Sequence, residues 1–203
     1  MIRDDISNKL IHLIRGDTID DAFSKFYSIL NERQLRGGTG YIRGGYTCVC
    51  FTESPISKLS YVLANPDLVN MRYRPFGIMI DKRYAFAHGA RPVIYQPNDD
   101  FEKLDEDIRY RHVRFEPDNP GYPIDLTWER EWRVKIDALP LPVESTTVIV
   151  PNRHWRDVFV DRHSDDIQGT VLALGSEAAQ AVEPYPWHLV VLEDLGIEIP
   201  DGL

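Results

Sequence analysis

The spacing of apolar residues near the start of the chain predicts a strand followed by a helix. Residues 10–16, LIHLIRG, form a short apolar run that ends at glycine, which favours a buried strand. In residues 17–35, DTIDDAFSKFYSILNERQL, apolar positions recur with the helical period and make one apolar face. Thr18 with Asp21 three positions later resembles the capping box at the start of a helix. We therefore expect an amphipathic helix directly after the first strand.

Further strands are predicted by short apolar or alternating runs. They are TCVCF (47–51), FGIMID (76–81), RPVIY (91–95) and EWRVKI (131–136), of which the last alternates most clearly. Residues 96–127 are acidic and contain several prolines, and NDDFEKLDEDIRYRHVRF is a candidate helix in an excursion from the core. The segments TTVIVP, HWRDVFVDRH, TVLALG, SEAAQAV and WHLVVLEDL continue the alternation of strands and helices. This pattern predicts a mixed α/β or α+β domain.

The composition is that of a globular protein and limits its location and partners. The 203 residues, 43% hydrophobic and 27% charged, fit one domain over residues 1–203. The formal net charge of −9 argues against binding nucleic acid over a broad basic face. The start, MIRDDISNKL, lacks the features of a secretory signal, and no apolar run reaches the roughly 18 residues of a membrane span. With Cys48 and Cys50 too close to join distant segments, we expect a cytoplasmic protein with reduced thiols and no membrane contact.

A glycine-rich segment, GGTGYIRGG, occupies residues 37–45 and contains five glycines. Such a segment predicts a flexible loop that a ligand can approach closely, because glycine has no side chain. It lacks the spacing of a Walker loop or of a dinucleotide fingerprint. A plain connection between two elements remains an equally good interpretation.

Local motifs for a nucleophile or a metal are missing from the sequence. No G-x-S-x-G occurs, and the six histidines show neither H-x-x-x-H nor H-E-x-x-H pairing. A metal site would have to be assembled from distant segments, and we expect none.

Two glutamates in TWEREWRV (127–134) are the strongest candidates for chemistry. On an extended strand, residues two apart point to the same face, so Glu129 and Glu131 would present two carboxylates to one cleft. Such a pair can polarise a nucleophile or stabilise a transition state of the oxocarbenium type. The alternative is a cross-strand ion pair on a solvated sheet edge. Trp132 shares the alternating apolar face with Val134, which favours a core position for its ring.

The order of these features resembles the ADP-ribosyltransferase fold, and within it the bacterial DarT-like and abortive-infection (AbiGi-type) proteins. The resemblance rests on IHLIRG, on the glycine-rich loop, on CFTESP and on WEREWR, which are short patches within residues 10–136. It implies an α+β fold, a single domain with a central mixed, largely antiparallel split sheet flanked by helices. It also implies NAD as a substrate and a role in phage defence or as a toxin.

Carried over to this chain, the resemblance assigns each patch a role. Glu131 is expected to be the catalytic carboxylate because it lies nearest the alternating strand, and Glu129 is expected to orient or deprotonate the acceptor. Thr52 is expected to support the nicotinamide pocket. The other residues expected to contact NAD are His12, Arg15, Tyr41, Tyr46, Phe51 and, from HGARPVIY, Arg91.

Two other functions remain open at this point. The chain is a catalytically silent binding or immunity module if turnover has been lost, and its acidic balance suits a basic partner. A metal-dependent nuclease would use Glu129, Glu131 and Asp125. The macromolecular acceptor, nucleic acid or protein, and a cognate antitoxin or toxin partner are not identified by the sequence.

Overall fold

The computed structural model describes residues 6–59, 73–174, 186–197 and 199. Its α-helices are α1 Ile19–Glu32, α2 Lys82–Ala87 and α3 Arg153–Leu174. Its strands are β1 Lys9–Arg15, β2 Gln34–Arg36, β3 Cys48–Thr52, β4 Tyr73–Asp81, β5 Arg91–Pro92, β6 Ile94–Gln96, β7 His112–Arg114, β8 Glu131–Lys135, β9 Ala138–Pro140, β10 Thr146–Val150 and β11 His188–Val191.

A large mixed sheet organises the described part of the chain. Seven strands pair in the order β11-β10-β4-β1-β3-β8-β5, and β2-β9 and β6-β7 form two small sheets. Within the large sheet only β10 and β11 run parallel, and every other neighbouring pair is antiparallel. The predicted α+β class with a mixed, largely antiparallel sheet is therefore confirmed, whereas the single-domain organisation and the likeness to ADP-ribosyltransferases stay predictions.

The main hydrophobic core lies between one face of this sheet and helices α1 and α3. The ring centroid of Phe26 in α1 is 5.4 Å from that of Phe76 in β4 and 5.3 Å from that of Phe159 in α3. The ring centroids of Phe23 in α1 and Trp155 in α3 are 4.9 Å apart. Because each large aromatic side chain buries roughly 150–250 Å², this cluster is a major source of stability. It fixes both helices on the same face of the sheet.

Helix α1 begins where the sequence predicts. The Thr18 hydroxyl accepts a hydrogen bond from the backbone N–H of Asp21 at 3.1 Å, which caps the first turn. The helix ends earlier than predicted, because Arg33 adopts a left-handed conformation with φ of 51°. Gln34 and Leu35, which the sequence places in the helix, instead belong to β2, which pairs with β9.

Other differences from the predicted elements lie around the acidic excursion. RPVIY is not one strand: Arg91–Pro92 pairs with β8, whereas Ile94–Gln96 pairs in parallel with β7. The candidate helix in residues 98–115 consists of two 3-10 segments, Asn98–Lys103 and Glu106–Arg111, followed by β7. Helix α3 extends through most of TVLALG, and SEAAQAV lies outside the described residues.

The pairing of β3 with β8 decides which side chains can meet. Val49, Phe51 and Val134 point into the main core. The alternate residues on the same two strands, Thr52 opposite Glu131 and Cys50 opposite Arg133, point to the other face of the sheet. The predicted core position of Trp132 is confirmed, since its ring packs against the main core.

Candidate functional site

Glu129 lies in a turn and not on strand β8. Residues Thr127–Glu129 form a 3-10 segment, and Arg130 then adopts a left-handed conformation with φ of 47° before β8 begins at Glu131. The prediction that Glu129 and Glu131 share an extended strand is therefore wrong. The two carboxylates nevertheless repel each other: after burial, the charge of Glu131 is the next cause that raises the pKa of Glu129.

Three successive residues, Thr52 at the end of β3 and the two that follow it, hold the backbone of this turn. The Thr52 hydroxyl donates to the carbonyl oxygen of Glu129, and the Glu53 N–H donates to that of Arg130 at 3.2 Å. The Ser54 hydroxyl donates to the carbonyl oxygen of Trp128 at 2.9 Å. Each carbonyl of the turn from residue 128 to residue 130 thus has its own donor, which fixes where the Glu129 side chain leaves the backbone.

Glu131 forms a buried ion pair with Arg133. The Arg133 Nε and Nη2 atoms donate to the two carboxylate oxygens of Glu131 at 2.8 and 3.1 Å. Arg133 Nη1 also donates to the carbonyl oxygens of Tyr110 and His112, at 2.9 and 3.0 Å. The guanidinium therefore ties the middle of the acidic excursion to β8, and both oxygens of Glu131 already have a donor.

Glu129 is the more available of the two carboxylates. Among the residues that the structure describes, no side chain or backbone donor forms a hydrogen bond with its carboxylate. Burial, and next the charge of Glu131, raises the pKa of Glu129 from 4.5 to about 7, although Arg15 and Arg133 act against this rise. A carboxylate in this state can give or take a proton near neutral pH.

Arg15 lies at the end of β1, on the side of the sheet that carries Glu129. Its Nη2 donates to the Tyr73 hydroxyl at 2.9 Å, and its guanidinium carbon lies 4.8 Å from the Tyr73 ring centroid. The guanidinium also lies 5.8 Å from the ring of Tyr41 in the glycine-rich loop, and Tyr41 is 89% exposed. The loop therefore approaches Arg15 through Tyr41, which gives Arg15 an exposed aromatic neighbour.

Two tyrosines that the sequence did not single out complete the surroundings of the carboxylates. Burial, and next the charge of Glu129, raises the pKa of Tyr73 to about 12. Burial also raises the pKa of Tyr95 to about 12, and the Tyr95 hydroxyl accepts a hydrogen bond from the backbone N–H of Glu131 at 3.1 Å. Both phenols keep their protons at neutral pH.

His12 points to the opposite face of the sheet from Glu131 and lines a cleft against α1. The cleft has a volume of about 310 Å³, and its lining includes Arg15, Lys25 and Arg36. Nδ1 of His12 is 2.8 Å from the carbonyl oxygen of Cys50, and burial lowers the pKa of the imidazole. The neutral ring therefore donates from Nδ1 and leaves Nε2 as an acceptor.

The remaining predicted contacts lie elsewhere. Phe51 is 3% exposed in the main core, so its ring has no open face for a ligand. Tyr46 packs beside Cys48 and under Lys135, whose Nζ is 5.0 Å from the ring centroid. Arg91 donates to the carbonyl oxygens of Phe86 and Ala90, which gives its guanidinium a structural role.

The cysteines and glycines near the site have structural explanations. Burial strongly raises the pKa of the Cys50 thiol, so a reactive thiolate is not favoured there.

A Cβ atom at Gly37 would lie 2.2 Å from the carbonyl oxygen of Ile136, so close packing requires glycine at this position. Gly40, Gly44 and Gly45 have positive φ angles, which favour glycine in a plain connection as much as in a ligand loop.

No protein-family model, curated protein or solved structure matches the chain. Within residues 6–59, 73–174, 186–197 and 199, no group of three or more His, Cys, Asp or Glu side chains could hold a metal ion. Asp125, the third acid of the nuclease alternative, instead accepts hydrogen bonds from the N–H and hydroxyl of Thr127. In the same described part, no helix combines the length and apolar character needed to cross a membrane.

Proposed function

We propose that this protein is an ADP-ribosyltransferase that consumes NAD and uses Glu129 as its acid–base group. The observation that carries the proposal is the state of Glu129, a carboxylate with a pKa of about 7 that lies in the field of Arg15 and beside the charge of Glu131. A general base works best when its pKa is close to the working pH. The resemblance of the short sequence patches to ADP-ribosyltransferases supplies the substrate class.

The two carboxylates divide the work differently from the expectation based on sequence. Glu131 has both oxygens on Arg133, so it serves as a fixed negative charge that favours the cationic ribosyl group in the transition state. Glu129 has no competing donor among the described residues and accepts the proton of the acceptor. Two neighbouring acids whose surroundings differ commonly take different roles in the same reaction.

The proposed reaction balances without a further reagent. The bond between ribose C1′ and the nicotinamide nitrogen breaks, and nicotinamide leaves with the electron pair. The nucleophilic atom of the acceptor forms the new bond to C1′, and its proton passes to Glu129. A positioned acid–base group of this kind contributes roughly 10²- to 10⁴-fold to the rate.

Arg15 is the cation best placed to hold the pyrophosphate of NAD. Its guanidinium lies near the carboxylate site, and the same residue lines the cleft that contains His12. A planar guanidinium suits phosphate oxygens, and the exposed ring of Tyr41 offers a stacking surface next to it. The Nε2 atom of His12 is a hydrogen-bond acceptor, which suits a ribose hydroxyl as its donor. These contacts would align NAD across the end of β1.

The test is transfer of label from NAD radiolabelled on the adenylate phosphate. The purified protein is incubated with this NAD and, in separate samples, with total protein, RNA or single-stranded DNA. We expect label in one acceptor class with the wild type and with Glu144→Gln, an exposed glutamate away from the site, and greatly reduced label with Glu129→Gln. Equal label transfer by wild type and Glu129→Gln would refute the role of Glu129. Folded wild type that transfers no label and releases no nicotinamide would refute the proposal and favour a silent binding module.

A further inference from the structure

The end of strand β3 and the turn before β8 form a continuous hydrogen-bonded unit, here called the brace. It comprises the bonds from Thr52, Glu53 and Ser54 to the carbonyl oxygens of residues 128–130. The backbone N–H of Ser54 also donates to the Thr52 hydroxyl at 3.0 Å, so that hydroxyl is both an acceptor and a donor. Two side-chain hydroxyls therefore carry most of the brace.

We propose that Thr52 and Ser54 are positioning residues that hold Glu129 against the charged cluster of the site. This assigns Thr52 a role other than direct support of nicotinamide, and it gives Ser54 a role that the sequence did not suggest. The catalytic part of this inference rests on the proposed function. The positioning of Glu129 by the two hydroxyls does not depend on it.

The brace matters because the backbone conformation that it holds in the turn is a costly one. A 3-10 segment of three residues has only one internal turn, and the left-handed Arg130 that follows is a conformation that non-glycine residues adopt at a cost. The surrounding structure must therefore hold this geometry. Ser54 is 5% exposed, so its hydroxyl acts from within the protein where water does not compete for the Trp128 carbonyl.

The groups that face Glu129 come from several elements. They are Arg15 of β1, Tyr73 of β4, Tyr95 of β6, and Glu131 and Arg133 of β8. Burial and the charge of Glu131 favour the protonated form, and the two arginines favour the ionised form. If the turn were released, Glu129 would move into water and lose the larger, proton-favouring influences. The pKa of Glu129 would then fall toward that of an ordinary glutamate.

The experiment is a pH titration of the protein labelled with ¹³C at the glutamate carboxyl carbon and followed by NMR. The signal of Glu129 is assigned by its loss in Glu129→Gln. The test variants are Thr52→Val with Ser54→Ala, which removes both hydroxyls, and Ser54→Ala alone. Thr52→Ser keeps a hydroxyl at position 52, and Thr147→Val removes a threonine hydroxyl from β10, where it makes no hydrogen bond among the described residues.

We expect the wild-type midpoint at about 7, and the same midpoint within about 0.3 units in Thr52→Ser and Thr147→Val. The double variant should titrate at least about one unit lower, and Ser54→Ala should shift in the same direction. An unchanged midpoint in folded Ser54→Ala and folded double variant would overturn the inference. If the double variant does not fold, Ser54→Ala decides the question alone.

The kinetics with NAD distinguish a failure of the positioning role from a failure of the proposed function. With NAD as substrate, the double variant should lose roughly tenfold or more in kcat while KM changes less than about twofold, since the binding groups remain in place. Equal losses in Thr147→Val would overturn the positioning role. A lowered midpoint in a protein that never turns over NAD would support the brace and refute the transferase function.

Discussion

Glu131 and Arg133 form a two-bonded ion pair along one strand, with N–O distances of 2.8 and 3.1 Å and side chains that are 11% and 8% exposed. Residues two apart on a strand share a face, so the pair follows directly from the sequence E-x-R on β8. Its burial makes it part of the fold as well as of the site. The carboxylate of Glu129, by contrast, accepts no hydrogen bond from the described residues.

Glu131→Gln should therefore destabilise the protein more than an ordinary surface change. The variant leaves the buried guanidinium of Arg133 without a counter-charge, and we expect a loss of about 2–4 kcal/mol in the free energy of unfolding. Urea denaturation at pH 7 measures this loss. The exposed Glu144→Gln should change the same quantity by less than about 0.5 kcal/mol. Similar stability for both variants would show that the ion pair contributes little.

Glu129→Gln should change how stability depends on pH. The pKa of Glu129 is raised in the folded state from 4.5 to about 7, so the folded protein holds a proton that the unfolded chain has released. This contribution to stability is fully present below pH 4.5 and is lost as the pH rises through about 7. Between pH 5 and pH 8 the wild type should lose about 1–3 kcal/mol more unfolding free energy than Glu129→Gln. Parallel pH profiles for the two proteins would contradict the raised pKa.

Two adjacent glycines in the loop should differ sharply in their tolerance of alanine. A Cβ at Gly37 would lie 2.2 Å from the carbonyl oxygen of Ile136, whereas a Cβ at Gly38 would meet no described atom within 4 Å. We expect Gly37→Ala to cost about 1–3 kcal/mol in unfolding free energy and Gly38→Ala less than about 0.5 kcal/mol. Thermal or urea unfolding of the pair measures this. Equal effects would mean that the loop does not pack against β8 and β9 as described.

Thr146→Val should stabilise the protein. Thr146 is 1% exposed, and its hydroxyl oxygen is buried with no hydrogen-bond partner among the described residues. Valine has nearly the same shape and suits strand β10, and it removes the cost of burying that hydroxyl. We expect a gain of about 0.5–1.5 kcal/mol in unfolding free energy. Thr147→Val on the same strand is the matched control, and a loss at position 146 would reveal a partner for the hydroxyl.

Much of the fold follows from local patterns in the sequence. The strands β1, β3, β4 and β8 and the start of α1 were predicted because apolar periodicity and the Thr18 cap act within a few residues. Gln34 and Leu35 fall within the predicted helix because β9, the strand partner of this segment, lies about 100 residues later in the chain. Pairing at that distance leaves no local signal.

The same limit applies to the candidate site. Glu129, Glu131 and Arg15 were identified from residue type and order, but the roles of the two glutamates depend on contacts between distant segments. Tyr73 and Tyr95 were missed because only the order of strands β4, β1, β3 and β8, and the separate β6–β7 pair, brings them to the carboxylates. The brace is likewise a contact between segments about 75 residues apart.

The rate of nicotinamide release from NAD reports whether the Glu129 carboxylate takes part in catalysis. The rate is measured at pH 8, where Glu129 is mostly ionised, for the wild type, Glu129→Gln and Glu144→Gln with the acceptor class identified by label transfer. We expect equal rates for the wild type and Glu144→Gln and a roughly 10²- to 10⁴-fold lower rate for folded Glu129→Gln. A Glu129→Gln rate within about threefold of the wild type would contradict this expectation.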